Sequence, residues 1–564
     1  MLDFHWNHKS FKIGAENRFS RLKDQREADR ILKLCGYRKY GNSVFSWGKI
    51  DMLKKLTERL TEAGLPYYIS PTAQYVLREL RACILEQKRE FKARLKRMAL
   101  EGNVLHTFQR KDALRMAIAD SIINAYPPGL GKTVTTLAAI PDRGRILVVC
   151  PAVMRETWRE ETLKWRPEIS VSMLDKQDNF YFPDAPNSML ICNYEQLPLC
   201  SIEGSKTKKK MRSLDDRLSV VDDEFCTVVF DEFHYCRNLS AGRTKRARLI
   251  AQFIARANGR AMGLTGTPLE RDPNDMWTLL SNLGLEKDAF GNKENFVRLN
   301  GGYTAPGRFG WETHWSGAVD DSVADLLAPY VISQSKESVW KDMPEKVFTT
   351  AYVDIKDNKV RKFLDKFMED IGGESAIDRM DFLLTSKPKE ISLYAETRAQ
   401  LAMLKYAAML EEIQEYELSR EPIVVMSAHR APVEMLGARP GWACIHGNLS
   451  EKKRDEARKA FQAGKLKGIA CTIQAAGVGL TLTRSSRMFF IDQCWNPSQN
   501  EQAQDRIHRL TQLNHNCFYH IYTINHPMEK ILDRNLRTKQ RFIDGTVVKT
   551  RSSLIQEMDR LDHI

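Results

Sequence analysis

The sequence has no C-x-x-C pair: its eleven cysteines are scattered from Cys35 to Cys517. That spacing excludes a zinc ribbon and a disulfide framework. Cys150 in "ILVVCP" and Cys192 in "LICNY" sit inside apolar, strand-like runs, and are expected to be buried, reduced thiols of a reducing compartment. No apolar run is long enough to span a bilayer, and the opening "MLDFHWNHKSFK" carries no signal-peptide core. The expectation is a soluble intracellular protein without a membrane partner, cytoplasmic in a bacterial or viral host and nuclear in a eukaryote. Low-complexity tracts are missing too. The one charge run, "SKTKKKMRS" at residues 205–213, reads as an exposed loop.

Negative charge is the scarcer sign, with 72 acidic side chains against 86 basic and a net charge of +14. Such a surplus favours a polyanionic partner, nucleic acid being the commonest, although general solubility accounts for the same number. At 564 residues the chain exceeds one compact core, and 43% hydrophobic with 28% charged content suits a folded protein of several domains.

Residues 1–100 read as a small basic accessory domain. "GYRKYGNSVFSWGK" at 36–49 predicts a hairpin about Gly41-Asn42, and Asp51 predicts a helix cap before Met52, Leu56 and Leu60. A longer helix is predicted from about Thr72 to Met98, rich in Lys and Arg. Its exposed basic and aromatic residues suit nucleic acid, and an ordinary small core with a solvated face suits them equally. From residue 101 to 285, "GRILVVCP", "SMLICNY", "FCTVVFDE" and "RAMGLTGTP" are apolar runs separated by helical sequence, the pattern of a parallel sheet covered on both faces. Residues 286–410 turn helical and irregular. A second strand series, "PIVVMSAH", "ACIHG", "GIACT", "RMFFIDQ" and "CFYHIYTI", falls in 411–550, and 551–564 is a tail. The fold class is therefore α/β: two parallel-sheet lobes, a helical insert between them and an N-terminal accessory domain.

Three motifs carry chemistry. In "YPPGLGKT", Gly129 and Gly131 let backbone approach a phosphate, Leu130 lies between them, Lys132 reaches the terminal phosphates and Thr133 offers a hydroxyl to Mg²⁺. Tyr126 occupies the first glycine position of the strict phosphate-loop pattern, and Pro127 and Pro128 have no N–H to donate. They are read as stiffening the entry, with the donors from Gly129 to Thr133 intact. "CTVVFDEFH" ends a strand in Asp231 and Glu232, which places two carboxylates at the sheet edge for Mg²⁺ and an attacking water. "NEQAQDRIHRLTQ", read as a helix, puts Gln502, Asp505, Arg506 and Arg509 on one face. Two arginines there suit charge on a transferring phosphoryl group, a role worth roughly 10³–10⁵ in rate; surface ion pairs would use them as well. The order of the three motifs favours a nucleotide held between two lobes.

With these motifs go "HTFQRKDALRMA", "LVVCPAVMRETWREE", "ICNYEQL", "DEFHYCRN", "LTGTPLERDPNDMWTLL", "VVMSAHRAPVEML", "IHGNLS", "CTIQAAGVGLTLT", "IDQCWNPSQNEQAQDRIHRLTQ" and "MEKILDRNLRTKQRFIDG". From about residue 105 to 545, the chain resembles a superfamily 2 helicase-type ATPase of the Swi/Snf branch. Within that branch it is most similar to the HARP-like annealing-helicase subgroup, whose segment after the first lobe "NGGYTAPGRFGWETHWSG" also resembles.

The resemblance implies two RecA-like lobes, ATP and Mg²⁺ as cofactors, and a monomeric motor that tracks double-stranded DNA, branched or forked substrates included. It implies that Gln109 reads the adenine, Lys132 and Thr133 bind phosphate and Mg²⁺, Asp231 holds Mg²⁺ and Glu232 activates water. Arg506 and Arg509 become the arginine fingers, Gln502 organises the cleft, and Thr265, Gly266 and Thr267 couple hydrolysis to lobe motion. Pro151, Trp158, Tyr194, Ser427, His446, Gly447, Thr472 and Trp495 are expected on the DNA-tracking side, although a Trp such as Trp158 suits a core as well. Tyr126-Pro127-Pro128, Phe233 and Thr511 depart from the family's pattern without removing a catalytic side chain, so they bear on rate and nucleotide affinity more than on identity. Two rivals remain: a strand-separating DNA or RNA helicase, since "DEFH" is close to a DEAH box, and a DNA-binding scaffold with a silent phosphate loop.

Overall fold

The computed structural model describes residues 2–7, 10–13, 38–40 and 43–45 near the start and most of residues 60–536, the longest breaks being 199–225 and 370–387. The charge run at 205–213, the helix expected after Asp51, most of the 528–545 motif and the 551–564 tail lie outside the described residues.

At the N-terminus β1 (Leu2–Asn7), β2 (Ser10–Ile13), β3 (Arg38–Tyr40), β4 (Ser43–Phe45) and β5 (Tyr67–Ile69) form one sheet, ordered β3-β4-β2-β1-β5. Tyr40 pairs with Ser43 across the expected hairpin. The helix Pro71–Leu100 follows. Phe91, Arg94 and Met98, at helical spacing, are buried along its last turns, and Phe91 and Met98 join the core around Leu137, Ala138 and Ile140. There Arg94 donates to the Ala138 carbonyl at 2.8 Å, and Arg166 to those of Leu137 (2.8 Å) and Ile140 (3.0 Å). Two cations thus cap the carboxyl end of the helix Lys132–Ala139.

The first lobe is built on β6 (Ser121–Asn124), β7 (Arg145–Cys150), β8 (Ser170–Met173), β9 (Ser188–Asn193), β10 (Cys226–Phe230) and β11 (Arg260–Leu264). A hairpin of β12 (Gly302–Gly307) and β13 (Gly310–Trp315) follows, and β14 (Val331–Ile332) closes the sheet at one edge. The order is β14-β6-β11-β10-β7-β9-β8, with every pairing parallel. β6, β7, β10 and β11 are buried along their whole length, because separate apolar clusters cover the two faces of the sheet. The carboxyl ends of β6, β11 and β10 are neighbours, and the phosphate loop, Thr265 and Asp231 leave the sheet there.

The second lobe contains β15 (Glu345–Val353), β16 (Ile423–Ser427), β17 (Trp442–Ile445), β18 (Gly468–Thr472), β19 (Arg487–Phe490) and β20 (Asn516–Ile524). These run parallel in the order β15-β20-β19-β16-β18-β17. The α/β reading with two parallel-sheet lobes holds. The boundaries of the insert differ from expectation. β14 hydrogen-bonds to β6 and so belongs to the first lobe, whereas β15 pairs with all nine residues of β20 and belongs to the second. A two-residue strand leaves no periodic signal in a sequence, and β15 joins a sheet whose other strands come far later. The lobes meet directly: Arg458 and Lys459 reach Glu160 at 3.1 and 2.6 Å. No helix among the described residues is long and apolar enough to cross a membrane.

Candidate nucleotide site between the lobes

Asn124 ends β6, and its side chain accepts the Tyr126 N–H at 3.0 Å. The Tyr126 ring is buried, and its hydroxyl donates to Asp112 at 2.6 Å, so this departure anchors the loop's entry to the helix Thr107–Ile118. Pro127 then accepts the Leu130 N–H at 3.4 Å, and the Pro128 ring packs over Gly266, where a Cβ would lie 3.0 Å from it. Gly129 and Gly131 follow at φ +89° and +82°, a region that costs glycine nothing. Both are also crowded: a Cβ on Gly131 would fall 2.4 Å from Gln109 Nε2, and one on Gly129 would fall 3.2 Å from Arg509 Cγ. Gly131 caps the helix Lys132–Ala139, whose amino end is suited to an anion. Thr133 is its second residue and is partly exposed.

Gln109 is buried with both ends of its amide engaged. Nε2 donates to the Leu130 carbonyl at 2.9 Å, and Oε1 accepts the His106 N–H at 2.9 Å. In this arrangement it braces the phosphate loop from behind.

Asp231 is held from three directions. The Trp158 indole donates to Oδ2 at 2.8 Å, the Glu232 N–H to Oδ1 at 2.9 Å, and the Tyr194 hydroxyl to the Asp231 carbonyl at 2.7 Å. Trp158 and Tyr194 are therefore corrected: both are buried beneath the carboxylates and are not on a DNA-facing surface. Glu232 sits at φ +47°, strained for a residue with a side chain. His234 Nδ1 lies 3.2 Å from Glu232 Oε2 and 3.2 Å from Thr265 Oγ1, and Thr265 Oγ1 accepts the Thr267 N–H at 3.1 Å. His234 thus ties the carboxylate pair to the 265–267 turn. Sequence reasoning missed it, although its place in "DEFH" was a signal. Phe233 stacks on Phe230 at 5.5 Å and fills the space above Gly263, leaving the carboxylates uncrowded.

The second lobe supplies the arginines, with one difference from expectation. The helix Pro497–Gln504 ends before them, so Arg506 and Arg509 stand on the turns that follow, where Ile507 and other backbone groups bond locally. Arg509 is fixed by bonds to the Asp505 carbonyl (3.1 Å) and to Thr481 (2.7 Å). Gln502 is buried on the helix itself. Burial lowers the pKa of Lys132 against the pull of Glu232 and Asp231, with Arg506 and Arg509 adding to the lowering. Burial also lowers Arg506, and burial with Arg506 beside it pushes Arg509 down to about 9. Burial outweighs the neighbouring cations in raising Asp231, next to Glu232, whereas His234, Lys132 and Arg506 overcome burial and hold Glu232 low. Lys132, Arg506 and Arg509 are thus close enough to perturb one another, with Glu232 and Asp231 among them.

Other expected surface residues are placed differently. Ser427 is buried and donates to Asp492 at 2.5 Å, and His446 and Thr472 are buried as well. Pro151 is partly exposed, Gly447 is exposed, and Trp495 lies under the Arg398 guanidinium at 5.7 Å. Thr511 is exposed and contacts Thr483 at 3.4 Å.

The SNF2-related domain matches residues 109–415, more than half of the chain, and the helicase conserved C-terminal domain matches residues 404–511. The chain belongs to the SNF2-related family. Among its SNF2-related relatives, the SWI/SNF-related matrix-associated actin-dependent regulator of chromatin subfamily A-like protein 1 homolog of Caenorhabditis elegans is 26% identical over 69% of this chain and 54% of its own length. The human DNA annealing helicase and endonuclease ZRANB3 is 24% identical over 76% of this chain and 39% of its own. The chain thus spans about half, or less, of the curated relatives it matches. The Sulfolobus solfataricus SWI2/SNF2 ATPase core in complex with dsDNA is 20% identical, covering 80% of this chain and 94% of that one, with a TM-score of 0.33.

Proposed function

We propose that this SNF2-related chain is an ATP-driven motor that hydrolyses ATP when bound to double-stranded DNA and moves along the duplex, in repair, fork remodelling or strand annealing. The observation that carries the reading is the meeting of Lys132, Asp231 and Glu232 from one lobe with Arg506 and Arg509 from the other. Relatives named as annealing helicases and SWI/SNF-related proteins support the DNA partner.

The residues present fit ATP with Mg²⁺. Gly129 and Gly131 hold the loop at left-handed φ with no room for a side chain, and the charges of Lys132, Arg506 and Arg509 suit a triphosphate. No group of three His, Cys, Asp or Glu among the described residues could hold a metal alone. Mg²⁺ needs none, since it keeps several waters and shares phosphate oxygens. Thr133 and Asp231 would hold it, and when bound it supplies charge neutralisation at the phosphates. Lys132 grips the phosphates, Glu232 orients and deprotonates water with its carboxylate kept ionised by His234, and Arg506 and Arg509 stabilise the charge that develops on the transferred group. Grip on DNA through phosphate contacts makes binding independent of sequence and sensitive to salt.

Steady-state ATPase rates with no nucleic acid, single-stranded DNA, duplex DNA and RNA test this. Stimulation by duplex DNA that is lost in Lys132→Ala and Glu232→Gln is the expected result. Preference for single strands or RNA favours strand separation instead, and tight DNA binding without turnover favours a silent scaffold.

A further inference from the structure

Between the lobes runs a segment that touches both halves of the site. It leaves the first lobe at β14, which is hydrogen-bonded to β6, the strand that leads into the phosphate loop. Gln334 donates to Asp112 Oδ2 at 2.9 Å, the same oxygen that takes the Tyr126 hydroxyl at 2.6 Å. Lys336 then reaches Asp505, the residue before Arg506, with Nζ to Oδ1 at 2.7 Å. Lys346, at the start of β15, reaches the same Asp505 oxygen at 3.1 Å and Gln504 Oε1 at 3.3 Å. His508, the residue before Arg509, is pinned on both ring nitrogens, with Nδ1 3.3 Å from Lys336 Nζ and Nε2 2.9 Å from the Pro344 carbonyl. Lys336 is only a donor, so Nδ1 accepts and Nε2–H donates to Pro344.

The arginines alternate with these clamped residues: 505 held, 506 beside the charge of Glu232, 508 held, 509 against Gly129 of the phosphate loop. Asp505 and His508 are buried and lie just beyond the end of the helix, where the Asp505 N–H still reaches the Glu501 carbonyl at 2.9 Å. Their side chains are held by Lys336, Lys346 and the Pro344 carbonyl. Tyr126 and Gln334 thus share Asp112, and two positions after Gln334 in the chain Lys336 holds Asp505 and His508.

We propose that Gln334, Lys336 and Lys346 act as a strap between Asp112, which anchors Tyr126 at the entry of the phosphate loop, and the arginine turn, with Lys336 as the positioning residue for Arg506 and Arg509. Lobe closure and arginine placement are then one event. This rests on the ATPase reading above. It concerns a buried residue whose partners are Asp505 and His508, and it gives Tyr126, an irregular loop residue, a task. Displacing a catalytic group by about 1 Å costs on the order of 10²-fold in rate, so a strap that sets the arginines acts on turnover and leaves ATP affinity largely alone.

The full-length chain is assayed with duplex DNA for ATP turnover, and with a fluorescent ATP analogue for binding. Lys336→Met is the main variant. Lys346→Met, whose side chain is the more exposed at 23% against 9%, runs beside it in case the first does not fold. The expected result is a fall in kcat of at least about tenfold, analogue affinity within about threefold, partial rescue by Lys336→Arg, and no further loss when Lys336→Met is added to Arg509→Ala. Unchanged kcat, losses that multiply with those of Arg509→Ala, or a loss of analogue binding equal to the loss of rate overturns the strap. Energy transfer between a dye on each lobe gives a readout without turnover. The analogue is expected to bring the dyes together in the wild type and not in Lys336→Met, and equal approach in both overturns the proposal. A wild type that binds the analogue, closes and yet hydrolyses nothing sinks the motor reading while leaving the strap measurable.

Discussion

Trp158 Nε1 lies 2.8 Å from Asp231 Oδ2, joining a residue on the helix Arg155–Trp165 to the carboxylate at the end of β10. The bond restrains the carboxylate that would hold Mg²⁺. Trp158→Phe is expected to raise the Mg²⁺ concentration for half-maximal ATPase about 10–100-fold, as loss of a residue supporting a metal ligand commonly does. A Mg²⁺ titration of turnover checks this, with Tyr194→Phe, whose bond is to the backbone, expected to shift it less.

Gly131→Ala is expected to be more damaging than Gly129→Ala. Both place a side chain at positive φ, but the first also drives a Cβ into Gln109 at 2.4 Å, whereas the second meets a flexible arginine stem at 3.2 Å. Equilibrium binding of a fluorescent ATP analogue reads the difference, and equal losses in the two variants would contradict it.

Phe233 and Gly263 form a matched pair, the ring of one filling the space left by the other. Phe233→Ala is expected to cost about 3–5 kcal/mol as a cavity in the core. Gly263→Ala alone forces a clash with the ring at 2.5 Å. In the double variant the methyl enters the vacated space, so chemical denaturation is expected to show a cost well below the sum.

His508 makes stability depend on pH. Burial, with Lys336 and Lys346 beside it, pushes its pKa down to about 4, below the ordinary value near 6.5. The unfolded chain therefore takes up a proton that the folded chain refuses, and stability falls as pH drops from about 6.5 towards 4. Asp505 is held low by Lys336 and Lys346 against the effect of burial; its contribution is present above about 3.9 and is lost only below that, as pH falls towards its folded value. Melting temperatures between pH 7 and 4 are expected to fall in the wild type and to fall less in His508→Gln.

The strands were legible wherever an apolar run was long enough to be buried on both faces, as in β7 and β10. The short β14 and the edge strand β15 were not, because their partners lie far off in sequence. The residues proposed for hydrolysis stand out in the sequence because phosphate and Mg²⁺ chemistry constrains type and spacing. Their supports were not. Trp158 and Tyr194 have the same side chains whether they face DNA or a carboxylate, and only packing decides between the two. Lys336 and Lys346 stand in no motif, and their partner Asp505 is about 160 residues away. The arginine helix stops about two turns short of the end that charge spacing predicts, because that spacing alone does not mark where the backbone leaves the helix.

The central claim is that both lobes build one hydrolytic site. ATP turnover of Arg506→Ala, measured at saturating duplex DNA beside the wild type, tests it most directly. The expected result is a loss of about 10³-fold or more with analogue binding largely retained, as for removal of an arginine finger. Turnover within about threefold of the wild type, with binding intact, would contradict the account, because the second lobe would then contribute no charge to the reaction.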